Sequence, residues 1–322
     1  MFGKMMNSYY YGKSGKGDYR KEDLPTNRWQ LFWEMLRVRF SGLMRLNLLY
    51  MLVWLPTMIV LLMTAFSLLS GLNQLLDPAA AEEGAQVTFT SVSQLLSSMS
   101  MSALLLLVPC LAITGPFTAG FSYVTRNWAR DEHAFIWSDF KDAVKENWKQ
   151  ALAVSCINAM VPLLAYVCWT FYGDMTATSG FMIVPQIITM MVALVWCLAI
   201  TYMYPLMVSY RLKFKDLIRN AVLLAIARLP MSFAVRLLHC VPVIIALVVA
   251  FTINTLWAAL GLFFYYLLIG FGLSRFVTAS FTNGVFDKYI NSHIEGAQVN
   301  RGLNTEVDED DDDDEDEEDE NA

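Results

Sequence analysis

The stretch TRNWARDEHAFIWSDFKDAVKENW, residues 125–148, decides the fold. It holds four Lys or Arg residues, one His, five acidic residues and three Trp residues, and it stands between two apolar runs, 98–124 and 151–172. A segment this charged cannot lie in hydrocarbon, whereas a helix crossing a core of about 30 Å needs about 20 mainly apolar residues. The stretch therefore reads as the connection between two membrane spans. Working outward, the chain offers four more runs of spanning length: 47–71, 181–208, 232–253 and 256–276. Asn254 and Thr255 are the only break between the last two. The expected fold is all-α, a polytopic membrane helical bundle of six transmembrane helices in three hairpins, the last closed by a tight turn.

Composition agrees with a bilayer protein. The 322 residues are 56% hydrophobic and 16% charged, against about 25% charged in soluble domains. The net charge of −7 becomes +7 once Glu306 and the thirteen acidic residues of 308–320 are set aside, so the body is basic and only the tail is acidic. Three parts follow: a flexible basic leader over 1–26, an integral membrane domain over 27–290, and a disordered acidic tail over 291–322. The first long apolar run begins only near Asn47, so span one is expected to act as an uncleaved signal anchor.

Orientation follows from the cations, which gather on the cytoplasmic side of membrane proteins. Residues 1–46 hold nine Lys or Arg, 125–150 five, 209–236 six, and the segment from Arg275 onward three, which accounts for all 23. The connections 72–97, 173–180 and 254–255 hold none. Both termini are thus expected in the cytoplasm. Trp29, Trp33, Trp128, Trp137 and Trp148 fall at that inner boundary, where amphipathic rings settle.

Three basic segments precede the odd-numbered spans, at 29–45, 138–149 and 214–221, and each reads as an amphipathic helix on the inner leaflet. Ser138 is the expected cap of the second, with Asp139 in its first turn, and FKDLIRNA (214–221) echoes FKDAVKEN (140–147). Arg126 and Arg130 continue one face of span two, where their heads can meet anionic inner-leaflet lipid phosphate. The candidate cytoplasmic interface is Arg126, Trp128, Arg130, Trp137, Asp139, Phe140 and Trp148.

RLNLLYMLVWLP (45–56), GPFTAGFSYVTRNWARDEHAFIWSDFKDAVKENWKQ (115–150) and DLIRNAVLLAIARLP (216–230) resemble the bacterial YesL-type membrane proteins, a family of unknown function. The resemblance covers about 30–290 and implies a multi-pass protein of the bacterial cytoplasmic membrane, often encoded beside carbohydrate-uptake systems. It implies no catalytic or binding residues, and the acidic tail departs from its usual pattern.

Ionisable side chains inside a membrane usually mark substrate or proton pathways, and the central turns of the six spans carry none. Asn158, Gln186, Thr189 and Thr201 are the candidate intramembrane polar path, with interhelical packing as their plainer role. Seven Pro residues lie in spans (56, 109, 116, 162, 185, 205 and 242), as kinks or as breaks that bind a ligand. Gly115 with Ala119, and Gly270 with Ser274, give the spacing of small residues that lets helices approach. The five Cys residues sit in apolar runs without metal-site spacing and read as small buried hydrophobes. GKSGKG (12–17) lacks the first glycine of a phosphate loop. His133, His239 and His293 are scattered, so no catalytic set assembles.

The sequence therefore points to a non-enzymatic membrane accessory or scaffold, with carbohydrate uptake as its setting by resemblance. The alternative is a solute (sugar) permease or permease-like subunit. No cofactor or metal is expected. The lipid bilayer is the expected partner, a membrane transporter a further one, and nucleic acid is not.

Overall fold

The computed structural model describes residues 25–75 and 89–304, and every regular element among them is helical. In chain order these are α1 (Arg28–Leu75), α2 (Phe89–Trp128), α3 (Ser138–Thr176), α4 (Ile183–Ser209), α5 (Phe214–Ala227), α6 (Leu229–Thr252), α7 (Thr255–Tyr265) and α8 (Phe271–Tyr289). A π-helical turn, Tyr266–Gly270, joins α7 to α8. Six helical stretches are long and apolar enough to cross a membrane, with α7 and α8 together forming the sixth. The protein is an all-α polytopic helical bundle. The acidic run, GKSGKG and nearly all of the expected leader lie outside the described residues.

Two of the three expected surface helices are not separate elements. Residues 29–45 are the first half of α1, and 138–149 open α3, each running unbroken into its span. The reason is phase. Leu31, Met35, Leu43, Leu46 and Tyr50 continue one buried face along α1, and each residue added to an existing helix gains a hydrogen bond without a new nucleation cost. At about 1.5 Å per residue, the 48 residues of α1 reach well beyond a bilayer core. Only α5 stands alone, ended at Arg228, where α6 begins with Pro230 in its first turn. Ser138 does not cap α3. Asp139, in the first turn, instead braces the chain entering the helix: its Oδ2 accepts from Phe135 N at 2.9 Å, and Ser138 Oγ donates to its Oδ1 at 3.2 Å.

Between spans five and six the expected tight turn is present. Asn254 caps α7 by accepting from Leu256 N at 2.7 Å, which supplies one of the four backbone donors a helix start leaves open.

Packing is uneven along the bundle. Buried residues in α1 stop at Thr57, and those in α3 stop at Ala159. In α2 none is buried before Thr114, and in α4 Gln186 alone is buried before Leu198. The protein core thus sits at the end that carries the Lys and Arg residues, and the opposite halves of the spans present side chains outward. The five cysteines are free thiols, half-buried or exposed among these apolar surfaces rather than buried.

Among the described residues α2 and α3 pack closely, a contact that crosses the expected division into hairpins. A Cβ on Gly115 would stand within 3 Å of Ser155 Oγ and of the Ala151 carbonyl, and Ser155 Oγ donates to Ala112 O at 2.5 Å. Ala119, fully buried one turn on, meets Ala151 and Val154 in the same cluster. The Gly270 and Ser274 pair acts differently: Gly270 is crowded by Tyr265 and Tyr266 of its own helix, and the approach to α1 falls at Gly272, beside Leu43 O. Two buried hydroxyl pairs tie other helices: Tyr50 with Thr118 and Tyr202 with Ser232, each at 2.6 Å.

Residues 291–304, expected in the disordered tail, are placed against the bundle. Arg28 donates at 2.7 Å to both Asp287 Oδ2 and Asn300 Oδ1, Asn300 N donates to the same carboxylate at 3.2 Å, and Asn304 N donates to Pro25 O at 3.0 Å. Asp287 is almost wholly buried and would be an uncompensated charge without Arg28. The packed body therefore includes residues 291–304, past the boundary at 290 that composition suggests.

Candidate functional site at the basic end

Where α2 stops, the chain turns through Asp131, whose φ of 55° is left-handed. Glu132 N donates to Asn127 O at 2.8 Å and Asp131 N to Trp128 O at 3.3 Å, the paired bonds that close a helix C-terminus around an αL residue. This turn sets the direction of Arg126, Arg130 and Glu132. Arg126 and Arg130 do not simply splay toward lipid phosphate. They line a polar basin of about 310 Å³ with Glu132, Ser209 and Tyr210 at the end of α4, Asn291, and Ala297, Gln298 and Arg301 of the C-terminal segment.

Its charges are unbalanced. Glu132 Oε1 lies 3.5 Å from Arg130 Nε and 3.3 Å from Arg301 Nη1, so one carboxylate faces two guanidinium groups. Arg301 Nη1 also donates to Gln298 Oε1 at 2.7 Å, and Arg130 Nη2 to Gln298 O at 3.2 Å. Arg126 donates to Asn127 Oδ1 at 3.1 Å. Three buried atoms of the basin, Arg126 Nε, Arg130 Nε and Ser209 Oγ, have no hydrogen-bond partner among the described residues. Tyr210 donates to Asn291 Oδ1 at 2.7 Å, and burial pushes its phenol up to about 12, against the opposing pull of Arg126. It stays a neutral donor.

A second, larger cavity of about 1190 Å³ opens between the start of α1, α6 and α8. Trp29, Trp33, Leu238, Tyr266 and Leu273 are among its walls, and Arg28, Arg228 and Lys288 stand among its charged residues. Apolar walls beside cationic residues match the two ends of an amphiphile, an acyl chain and a headgroup.

The residues expected to form an outer contact face divide into two sets. Trp128 and Phe140 are buried, at 2% and 5% exposure, and offer no such face. The Trp128 ring fills the slot left by Gly42 of α1, and its Nε1 donates to Ala134 O at 3.2 Å, while Phe140 packs where Gly120 leaves room. Trp137 and Trp148 are exposed, at 64% and 48%, and Asp139 is half-buried at the start of α3.

The four polar-path residues line neither cavity. Gln186 donates across to Trp169 O at 3.2 Å, and Thr189 donates to Pro185 O of its own helix at 2.9 Å. Thr201 is buried with an unpartnered hydroxyl, and Asn158 is half-buried.

Sequence reasoning missed Glu132, Ser209, Tyr210, Gln298 and Arg301 as companions of Arg126. It also missed Asn47. This fully buried amide donates to Tyr266 O and Leu267 O at 2.9 and 2.8 Å and accepts from Gly272 N at 2.9 Å. It inserts into the backbone ladder and holds the π-turn open, a feature that recurs at functional sites. The available signal was a lone amide at the first position of an apolar run.

No curated protein and no solved structure matches the chain. Two of the three sequence blocks noted above, 45–56 and 115–150, fall inside a span that does match a family. Over residues 43–169, which carry α2 entire and with it Arg126 and Arg130, the chain is similar to the family described as "Protein of unknown function, DUF624".

Proposed function

We propose that the protein is a non-enzymatic accessory component of the bacterial cytoplasmic membrane, a scaffold that holds a membrane transporter at its cytoplasmic face, with both termini inside. The carrying observation is the position of the core. Buried packing and the long-range polar ties gather at the basic end, while the far halves of the spans turn apolar side chains outward. A body built this way spends its rigidity on one face. The basic end is assigned to the cytoplasm by the positive-inside rule. The YesL-type resemblance alone supports a carbohydrate-uptake setting.

The exposed aromatic residues Phe135, Trp137 and Trp148, at 63%, 64% and 48% exposure, rim that face. Trp and Tyr are the residue types that anchor partners as well as lipid. Photocrosslinking residues placed one at a time at 137 and 148, with Ile59 on the outward face of α1 as control, test the reading in native membranes. The expected result is a discrete adduct with a transport protein at 137 or 148 and only lipid adducts at 59. Lipid adducts alone at all three positions would refute the scaffold. Saturable uptake of labelled sugar into liposomes holding only the purified protein would replace it with the permease.

A further inference from the structure

We propose that the basin formed by Arg126, Arg130, Glu132, Ser209, Tyr210 and Arg301 is a binding site for a phosphate-type oxyanion. The site is independent of the scaffold reading, since it needs no protein partner.

The first argument is charge. Three guanidinium groups and one carboxylate share one basin, an excess of two positive charges. Arginine cannot shed its proton to relieve this. The α2 and α4 C-termini also face the basin and oppose an anion, but each carries only about half a negative charge, so the balance stays positive. Three cations that share a single carboxylate remain under-compensated, and a dianion of phosphate type neutralises the excess.

The second argument is donor geometry. Nε of Arg126 and Oγ of Ser209 are buried with no hydrogen-bond partner among the described residues, and Nε of Arg130 has only the 3.5 Å ion pair with Glu132, although buried donors are nearly always satisfied. Guanidinium donors match the several acceptors of a tetrahedral oxyanion better than any neutral group does. Glu132 and Gln298, themselves in the basin lining, hold Arg130 and Arg301, which restrains the forks before the ligand arrives.

The third argument is size. A volume of about 310 Å³ equals about ten waters at about 30 Å³ each. That admits a phosphate with a small organic substituent. Two sources share this chemistry: a free phosphate or small phosphomonoester from solution, and the headgroup of an anionic lipid reaching the end of span two.

The test uses the full chain in neutral detergent and in nanodiscs. Inorganic phosphate is titrated at fixed ionic strength against chloride, with thermal stability and calorimetry as readouts. Nanodiscs of phosphatidylcholine with and without phosphatidic acid are examined in parallel by native mass spectrometry for retained lipid. Arg126→Gln and Ser209→Ala probe the basin, and Lys141→Gln with Lys145→Gln on the exposed face of α3 serves as control. Phosphate binding weakened at least tenfold by R126Q, and several-fold by S209A, supports the site with a soluble ligand. Retention of phosphatidic acid lost in R126Q but kept in the control supports it with a lipid headgroup. The Ser209 variant keeps the test decisive if R126Q fails to fold. Binding that survives both basin variants, binding lost only in the control, or no preference for either phosphate source over chloride would overturn the proposal.

Discussion

Replacing Gly115 by Ala perturbs a close contact between α2 and α3 by one methyl group. The new Cβ would meet Ser155 Oγ, Ser155 Cβ at 2.6 Å and Ala151 O together. Ordinary contacts of this kind begin near 3.5 Å, so α2 and α3 must part by about 1 Å. Overpacking a well-filled contact costs about 1–3 kcal/mol. Parting the helices also loosens the bond from Ser155 Oγ to Ala112 O, 2.5 Å long, worth about 1 kcal/mol. The expected loss is about 2–4 kcal/mol. The free thiols of Cys110 and Cys156, one on each partner helix and both half-buried, report the opening directly through a fluorogenic maleimide during thermal unfolding in detergent. The double variant Gly115→Ala, Ser155→Gly removes two of the three clashing atoms but keeps the Ala151 O contact and loses the Ser155 bond, so it should recover only a small part of the loss. A single variant within 0.5 kcal/mol of the parent, or a double variant worse than the single, would refute the reasoning.

Two further perturbations address particular groups. Asn47→Leu leaves the Tyr266 and Leu267 carbonyls and the Gly272 amide without the partner they now have. At about 1–3 kcal/mol for an orphaned buried group, with part recovered as the turn tightens, the expected loss is about 2–4 kcal/mol. Hydrogen exchange at the Gly272 amide should quicken by at least tenfold, and unchanged protection would refute the bridge. Burial raises the Asp131 carboxyl above the ordinary carboxylate value, Arg39 at 3.9 Å pulls it down less, and Glu34 adds to the rise. A carboxyl raised on folding contributes stability below its unfolded value, near 3.9, and loses it as pH climbs through the folded one. Asp131→Asn, which tolerates the same left-handed backbone, should match the parent below pH 4 and exceed its melting temperature at pH 7. Equal gaps at both pH values would dismiss the titration.

The division between what the sequence reveals and what it hides follows range. Span number and the turn at Asn254 rest on local hydropathy and on one capping residue, both readable within a window of 20 residues. Helix continuity through Arg45 and Lys149 was not readable, because a basic amphipathic segment has the same periodicity whether it lies along a bilayer or stands upright on a neighbour. What decides is the partner: Gly42 makes the slot for Trp128, and Gly120 makes room for Phe140, both contacts between distant segments. Residues 291–304 escaped for a related reason. Their proximity to an acidic run outweighed a local pattern, Gly296 and Gly302 at positive φ, that marks designed turns rather than a solvated tail.

The basin depends on that same misjudged segment. Arg126 stands in the last turn of α2 and Arg130 just past its end, an arrangement that by itself reads as lipid anchoring. They become a site only where the C-terminal segment returns to cover them, and Arg28, near the other end of the chain, is one of the ties that hold it there, donating to Asp287 and Asn300. Removing Arg28 should therefore act on the basin from a distance. Arg28→Ala leaves Asp287 buried and without its guanidinium, leaves Asn300 tied to Asp287 by its N–H alone, and loosens the segment that carries Gln298 and Arg301. Cleavage by trypsin after Arg301 should accelerate in this variant, and phosphate should bind more weakly although no basin residue has changed. If the C-terminal segment stays protected while phosphate affinity falls, or the reverse, the two are not coupled through this segment and the order of dependence drawn here is wrong.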